Sequence, residues 1–311
     1  MNPHRTIVVD KPFLKTGCVL GEAPLYDEKT STLHFVDIVK CQVLHLNLVT
    51  SELSVDQFDE PVSCIALRRN RRGLACAAAR GFAVIDPDTR KLNYLSTPLN
   101  HHYLNAGVRF NDGACDSQGR FFAGTIFSKE HNIPGQLFRY DPFDDTTVVV
   151  DEGPFTDSNG LGWGKDEKTF YFTDSLVNII YAYDYNNGSL SNRRVFADGI
   201  SAGLPSGTFA DGLCVDSEGG VWSARWGGSS IVRFGADGRV DLQVHFPFAL
   251  NITACCFGGP EEDQLFVTTA HCSAIGGDPS RQAIYPDSGH LFRVDLSSKF
   301  KGGKWRFEFG G

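Results

Sequence analysis

The segment Val108-Arg109-Phe110-Asn111-Asp112-Gly113 sets a guanidinium, a carboxamide and a carboxylate among bulky apolar residues and glycine. Asp116 follows, then Gly119 and a run from Arg120 to Thr125 that reads as a buried strand. Polar groups this dense beside an apolar strand need partners, because an unpaired buried charge is costly. The core of the segment, an acid or amide before glycine and an apolar residue, recurs at Ser158-Asn159-Gly160-Leu161 and Ala210-Asp211-Gly212-Leu213. Carboxylate and carboxamide oxygens are the ligands of hard cations, and a carboxylate beside such a cation can take a proton from water.

The elements that must position these residues are short strands. Apolar runs alternate with Gly, Asp, Asn and Pro every few residues, and long helical periodicity is absent. One pattern repeats: a small residue, an apolar run, a polar turn, a second run, then a third ending near Asp. It starts at Ala23, Ile65, Gly113, Gly160, Gly212 and Ala254. The period is roughly 43 to 50 residues, the range of one four-stranded propeller blade. Six such units nearly exhaust the 311 residues, so one domain spanning 1–311 is expected. A blade cannot bury its faces alone, and the units must close into a ring. The expected fold is therefore all-β, a six-bladed β-propeller with a central metal site. An unclosed β-sandwich accounts less well for the even period. The early strand Arg5 to Val9 is expected to complete the last blade, with a strand from Trp305 to Phe309 nearby.

The residue before each repeat's first small residue is, in order, Glu22, Cys64, Asp112, Asn159, Asp211 and Thr253. In a propeller the innermost strands surround the axis, so these six should crowd one end of the tunnel. Glu22, Asp112, Asn159 and Asp211 bring carboxyl or carboxamide oxygens, and three carboxylates held close repel unless a cation or a shared proton offsets them. A divalent metal is the economical answer. The oxygen set suits calcium, magnesium, manganese or zinc rather than a thiolate-loving ion. The bland reading is that Asp-Gly and Asn-Gly are ordinary turn dipeptides. Three in register, together with Gly21-Glu22-Ala23-Pro24, favour the metal. No phosphate loop, dinucleotide fingerprint, His-Glu-x-x-His or Gly-x-Ser-x-Gly segment competes.

Composition narrows the classes further. The 24 Phe, 33 Gly and single Met lean towards strands and tight turns. A net charge of −8, with no basic run beyond Arg68-Arg69 and Arg71-Arg72, argues against nucleic acid as a partner. Met1 to Lys11 lacks the apolar core of a signal peptide, and no run is long enough to span a membrane. The nine cysteines are scattered, without a Cys-x-x-Cys pair, and several sit inside apolar runs. That usage fits a reduced, cytoplasmic protein, and the modest acidic charge is compatible with a monomer.

Gly21-Glu22-Ala23-Pro24, Arg109-Phe110-Asn111-Asp112-Gly113, Ser158-Asn159-Gly160-Leu161 and Asp211-Gly212 resemble the gluconolactonase/regucalcin family, also called senescence marker protein. Asp174-Ser175, Ser191-Asn192-Arg193-Arg194 and Cys255-Cys256-Phe257-Gly258-Gly259 are similar to the same family, in order and over nearly the whole chain. The resemblance implies a six-bladed propeller with one divalent metal in its tunnel that hydrolyses sugar-acid lactones. It places metal ligands on Glu22, Asn159 and Asp211, the general base on Asp211, and substrate contacts on Arg109 and Asn111. The chain departs from the family at Lys129, where animal regucalcin-like members carry a second glutamate shortly after Gly-Thr. A cation at Lys129 would meet sugar hydroxyls differently.

A lactone is a cyclic ester. Its hydrolysis needs a polarised carbonyl, an activated water and relief of the oxyanion's charge, and a hard metal serves the first and third. Asp112 reads as a support for the ligands, and Arg109 has a bland alternative in an ion pair with Asp112 or another acid. Trp222, Trp226, Tyr181 and Phe127 are candidate walls for a sugar ring or plain blade core. His101 and His102 read as solvated loop residues. Segment 270–287 reads as a lid or a loose insertion. Two other functions compete with a lactonase: a calcium-binding regulatory protein without turnover, and a propeller serving only as an interaction platform. The first leaves Arg109 and Asn111 without a task, and the second needs no ligand cluster.

Overall fold

Each predicted unit folds into a twisted antiparallel sheet because its apolar runs fit a pleated surface and its Asp and Asn residues close the turns. At the turn after the strand Phe209–Val215, Asp216 accepts from the backbone N–H groups of Glu218 (3.0 Å) and Gly220 (2.8 Å). Its other oxygen accepts from Trp222 Nε1 and Arg233 Nε. Such a fixed turn sets the register of the hairpin it joins.

In this computed structural model, residues 5–296 and 299–311 are described, and they form a ring of six blades. The outermost parts of the expected 1–311 domain, residues 1–4, and positions 297–298 lie outside the described residues. The inner strands are Gly21–Asp27, Val62–Leu67, Phe110–Cys115, Ser158–Trp163, Phe209–Val215 and Asn251–Gly258. Each touches the inner strands of both neighbouring blades, and Gly21–Asp27 touches Asn251–Gly258, so the ring is closed. Burial falls outward along a blade: Ser158–Trp163 is buried throughout, whereas the outermost strand of the same blade, Ser189–Asp198, is largely exposed.

The ends of the chain depart from expectation. Arg5–Val8 does not complete the last blade; it runs parallel to Val240–His245 as a fifth strand of blade 5. Blade 6 keeps three strands, and the amino-terminal segment meets it without adding a strand, through isolated bridges of Leu14 with Leu291 and of Leu20 with Ala270. The open edge of Val240–His245 offers a full row of unpaired backbone groups, and Ile7 and Val9 pack on the core beneath it. Trp305 to Phe309 forms no regular strand. The tail instead crosses the tunnel end where the inner strands finish. Gly303 N–H donates to Val215 O (3.3 Å), Trp163 N–H to Trp305 O (2.8 Å), Phe307 N–H to Cys115 O (2.9 Å) and Phe309 N–H to Leu67 O (2.7 Å). It thus straps four consecutive blades and closes that mouth.

Segment 270–287 is ordered by its own hydrogen bonds, so it is not a loose insertion. Two 3-10 turns, Ala274–Gly276 and Pro279–Ala283, are tied by Gln282, whose Oε1 accepts from Cys272 N–H and whose Nε2 donates to Ser288 O, both at 3.0 Å. His101 and His102 are exposed at the start of a short helix, His101–Asn105. Among the described residues no helix is long and apolar enough to cross a membrane, and all nine cysteines are free.

Candidate metal and substrate site

The register slips at the same place in all six inner strands: between Glu22 and Leu25, Val62 and Cys64, Phe110 and Gly113, Asn159 and Leu161, Ala210 and Leu213, and Ile252 and Ala254. A bulge inserts an unpaired residue and re-aims its side chain. Here it turns the repeat-equivalent residue of each blade towards the axis. The glycine that follows is required by contact between blades. A Cβ on Gly160 would lie 2.2 Å from Leu213 N, and one on Gly212 would lie 2.5 Å from Ala254 Cβ. Asn159-Gly160 and Asp211-Gly212 are therefore close approaches of backbone within strands, not turn dipeptides.

Glu22, Asn159 and Asp211 are buried at this end of the tunnel. Glu22 Oε2 accepts from the N–H of Ala23 (3.0 Å), whose φ of +48° is part of the bulge, and Asp112 Oδ1 accepts from Gly113 N–H (2.6 Å). Burial pushes the Glu22 carboxyl up to about 8, and the charge of Asp112 adds to the rise. Asp211 is held well above the ordinary carboxylate range by burial, then by the charges of Glu22, Asp157 and Asp112. Burial takes Asp112 to about 6 against the opposing Gly113 N–H and Arg306. Glu22, Asp112 and Asp211 thus share one electrostatic neighbourhood, as expected from their alignment in the repeats, and Asp157 adds a fourth carboxylate to it.

These residues fit a hard divalent cation. Asn159 Nδ2 donates to Ser175 Oγ (3.0 Å), which fixes the amide, while its buried Oδ1 accepts no hydrogen bond. A buried acceptor without a donor is rare and calls for a partner. Beside it stand carboxylates that burial drives towards protonation, a tendency that a bound cation reverses. The remaining axial positions contribute nothing: Thr253 Oγ1 donates to Gly21 O (2.5 Å), and Cys64 carries a thiol that burial keeps protonated. Among the described residues no three His, Cys, Asp or Glu side chains are grouped so as to hold a metal ion by themselves; the candidate set here includes the carboxamide oxygen of Asn159.

Arg109 forms no ion pair with Asp112. Its Nη1 donates to Phe110 O (2.9 Å) and to Asn111 Oδ1 (2.7 Å), and Asn111 Nδ2 donates onward to Ser158 O of the next blade (2.9 Å). Asn111 is thereby a clamp that fixes Arg109 against blade 4. Lys129 is exposed on the turn after Phe121–Thr125. Of the aromatic candidates, Trp222 is core, while Phe127 and Trp226 are half-buried and Tyr181 lies under Arg193.

Three charged residues at the site escape the repeat alignment. Asp157 bears on Glu22, Asp211 and Arg109 by its charge. Arg225, buried beside Asp211, donates from Nη2 to Asn178 Oδ1 (2.7 Å), with its Nε unpartnered. Burial lowers its guanidinium to about 10 against the pull of Asp211. An arginine inside the apolar run Val221 to Trp226 was the available signal. Arg306, on the tail, donates to Pro24 O and adjoins a cavity of about 710 Å³ at the strapped mouth.

The family described as SMP-30/Gluconolactonase/LRE-like region matches residues 20–271. Regucalcin of Danio rerio is 34% identical over 292 residues, covering 90% of this chain and 94% of that protein. The structure of a luciferin-regenerating enzyme superposes with a TM-score of 0.84 at 25% identity, covering 97% of this chain and 99% of the other. A calcium-binding protein, regucalcin, from Agrobacterium tumefaciens superposes with a TM-score of 0.83 at 23% identity, covering 98% of each chain.

Proposed function

The chain belongs to the SMP-30/gluconolactonase/LRE-like family, and from that premise we propose that it is a metal-dependent hydrolase of sugar-acid lactones. Its substrate is an aldonolactone such as an L-rhamnono-, L-arabinono- or gluconolactone, and its product the open-chain aldonic acid. In this reading it works as a cytoplasmic monomer, a single propeller domain over residues 1–311. The observation that carries the proposal is the donor-free, buried Oδ1 of Asn159 beside carboxylates that burial holds protonated.

Glu22, Asn159 and Asp211 would hold one divalent ion, calcium or zinc in the first place, with magnesium and manganese next. Bound there, it supplies Lewis-acid polarisation of the lactone carbonyl. The chain's own residues do the rest. Asp211 takes the proton of the attacking water as its oxygen bonds to the acyl carbon. As the acyl–oxygen bond of the ring breaks, the departing ring oxygen receives that proton. The product is a hydroxyl and a carboxylic acid, which ionises and releases a proton to solvent. Arg109, fixed by Asn111, offers its remaining N–H groups to the substrate's oxygens. Lys129, exposed on its turn, is assigned to the outer end of the sugar.

The test is a panel of aldonolactones followed by pH indicator, with chelated and metal-replenished protein. Metal-dependent acid release from at least one lactone is expected. Tight calcium binding without turnover across the panel would instead establish the regulatory, calcium-binding reading.

A further inference from the structure

Asp157 has no part in the chemistry above, yet its position is tightly fixed. Its N–H donates to Asp174 Oδ1 (3.4 Å), its C=O accepts from Ser175 N–H (3.0 Å), and its backbone bridges Ile126 of blade 3. The side chain has no such ties. Oδ1 is closed off from solvent and accepts no hydrogen bond. The cation whose charge acts on it is Arg109. That guanidinium directs Nη1 to Phe110 O and Asn111 Oδ1, and its Nε and Nη2 face no protein acceptor. An acceptor without a donor and a donor edge without an acceptor thus lie close enough to act on each other by charge, with no hydrogen bond between them.

A hydroxyl is donor and acceptor at once, so a single hydroxyl can satisfy both groups, whereas a hydrogen or an ether oxygen cannot. We propose that Asp157 and the free edge of Arg109 grip the same hydroxyl of a polyhydroxylated substrate. Asp157 accepts from its O–H, and Arg109 donates to its oxygen. This rests on the lactonase reading and adds to it the group that selects the substrate. Hydrogen bonds to charged groups are the strong ones, and a site left with unpaired polar groups rejects the analogue that lacks the hydroxyl.

The experiment compares wild type, Asp157→Asn and Asp157→Ala on a parent aldonolactone and on a set of lactones each lacking one hydroxyl. Calorimetric titration of the divalent ion alone and thermal melts accompany the kinetics. In the wild type, one missing hydroxyl should raise KM about tenfold to a hundredfold. Asp157→Ala should raise KM for the parent by a similar factor and show no further loss with that deoxy lactone. Melting temperature should stay near wild type, because Oδ1 holds no protein partner, and ion affinity should change only by the modest factor that the loss of one neighbouring charge brings. If Asp157→Ala discriminates between the lactones as wild type does, the inference fails alone. A collapse of ion affinity in the variant also overturns it, by making Asp157 a metal ligand. A wild type that hydrolyses no lactone overturns the lactonase reading, and the inference with it.

Discussion

Removing the divalent ion should make the protein's stability fall as pH rises through the neutral range. Glu22 is ordinarily ionised above about 4.5, but in the folded chain burial and Asp112 push it up to about 8. Between those values the folded state keeps a proton that the unfolded chain has given up, so raising the pH favours unfolding. The useful window runs from about pH 6.5 to 8. Below it the buried His34, lowered to about 4, works in the opposite direction; above it buried thiols such as Cys18, raised to about 11, begin to contribute. One retained proton over that window amounts to about 2 kcal/mol, or roughly 3–5 °C in melting temperature for a chain of this size. Asp211, raised by the same neighbours, deepens the fall.

The assay is a thermal melt of chelated protein at closely spaced pH values, repeated with saturating calcium or zinc and with Glu22→Gln. The cation displaces protons from its ligands, so it should stabilise more at pH 8 than at 6.5. Glu22→Gln should flatten the slope of the chelated protein. A chelated wild type whose melting temperature stays level or rises across the window would refute the reasoning. So would a glutamine variant with the wild-type slope.

Three further outcomes follow from the packing. Gly160→Ala places a methyl 2.2 Å from Leu213 N, where only backbone can yield; melting should show a loss of roughly 1–3 kcal/mol, and calorimetry should show weaker ion binding. Asn111→Ala releases Arg109 from its clamp to Ser158 O, and steady-state kinetics should show a raised KM with folding retained. Phe309→Ala empties a buried site against Phe121 and Tyr140 at the strapped mouth, and denaturant unfolding should register about 3–5 kcal/mol of destabilisation.

The ring was legible because the repeat is written in short-range chemistry. Turn residues such as Asp216 and glycines such as Gly160 and Gly212 are needed wherever a blade turns or presses on its neighbour. Alignment of the repeats brought out the axial residues for the same reason, since the bulge that aims them occurs in every inner strand. The pairing of Arg5–Val8 was not legible. Which open edge an end strand joins depends on where the ring leaves one, and nothing local to those residues encodes it. Asp157 escaped because it lies two positions before the aligned residue, Asn159, and acts through an orientation visible only in three dimensions. Asn111 stood out in the sequence as a candidate, but its commitment to Arg109 and Ser158 O depends on how blades 3 and 4 meet.

The account rests on Asp211 serving both the cation and the water. The most direct measurement is the initial rate of acid release from an aldonolactone by wild type and Asp211→Ala, each chelated and then replenished with the divalent ion. The wild type should be active only when replenished, and the alanine variant should lose about 10²–10⁴-fold in rate under the same conditions. Full activity in the alanine variant, or in chelated wild type, would contradict the account.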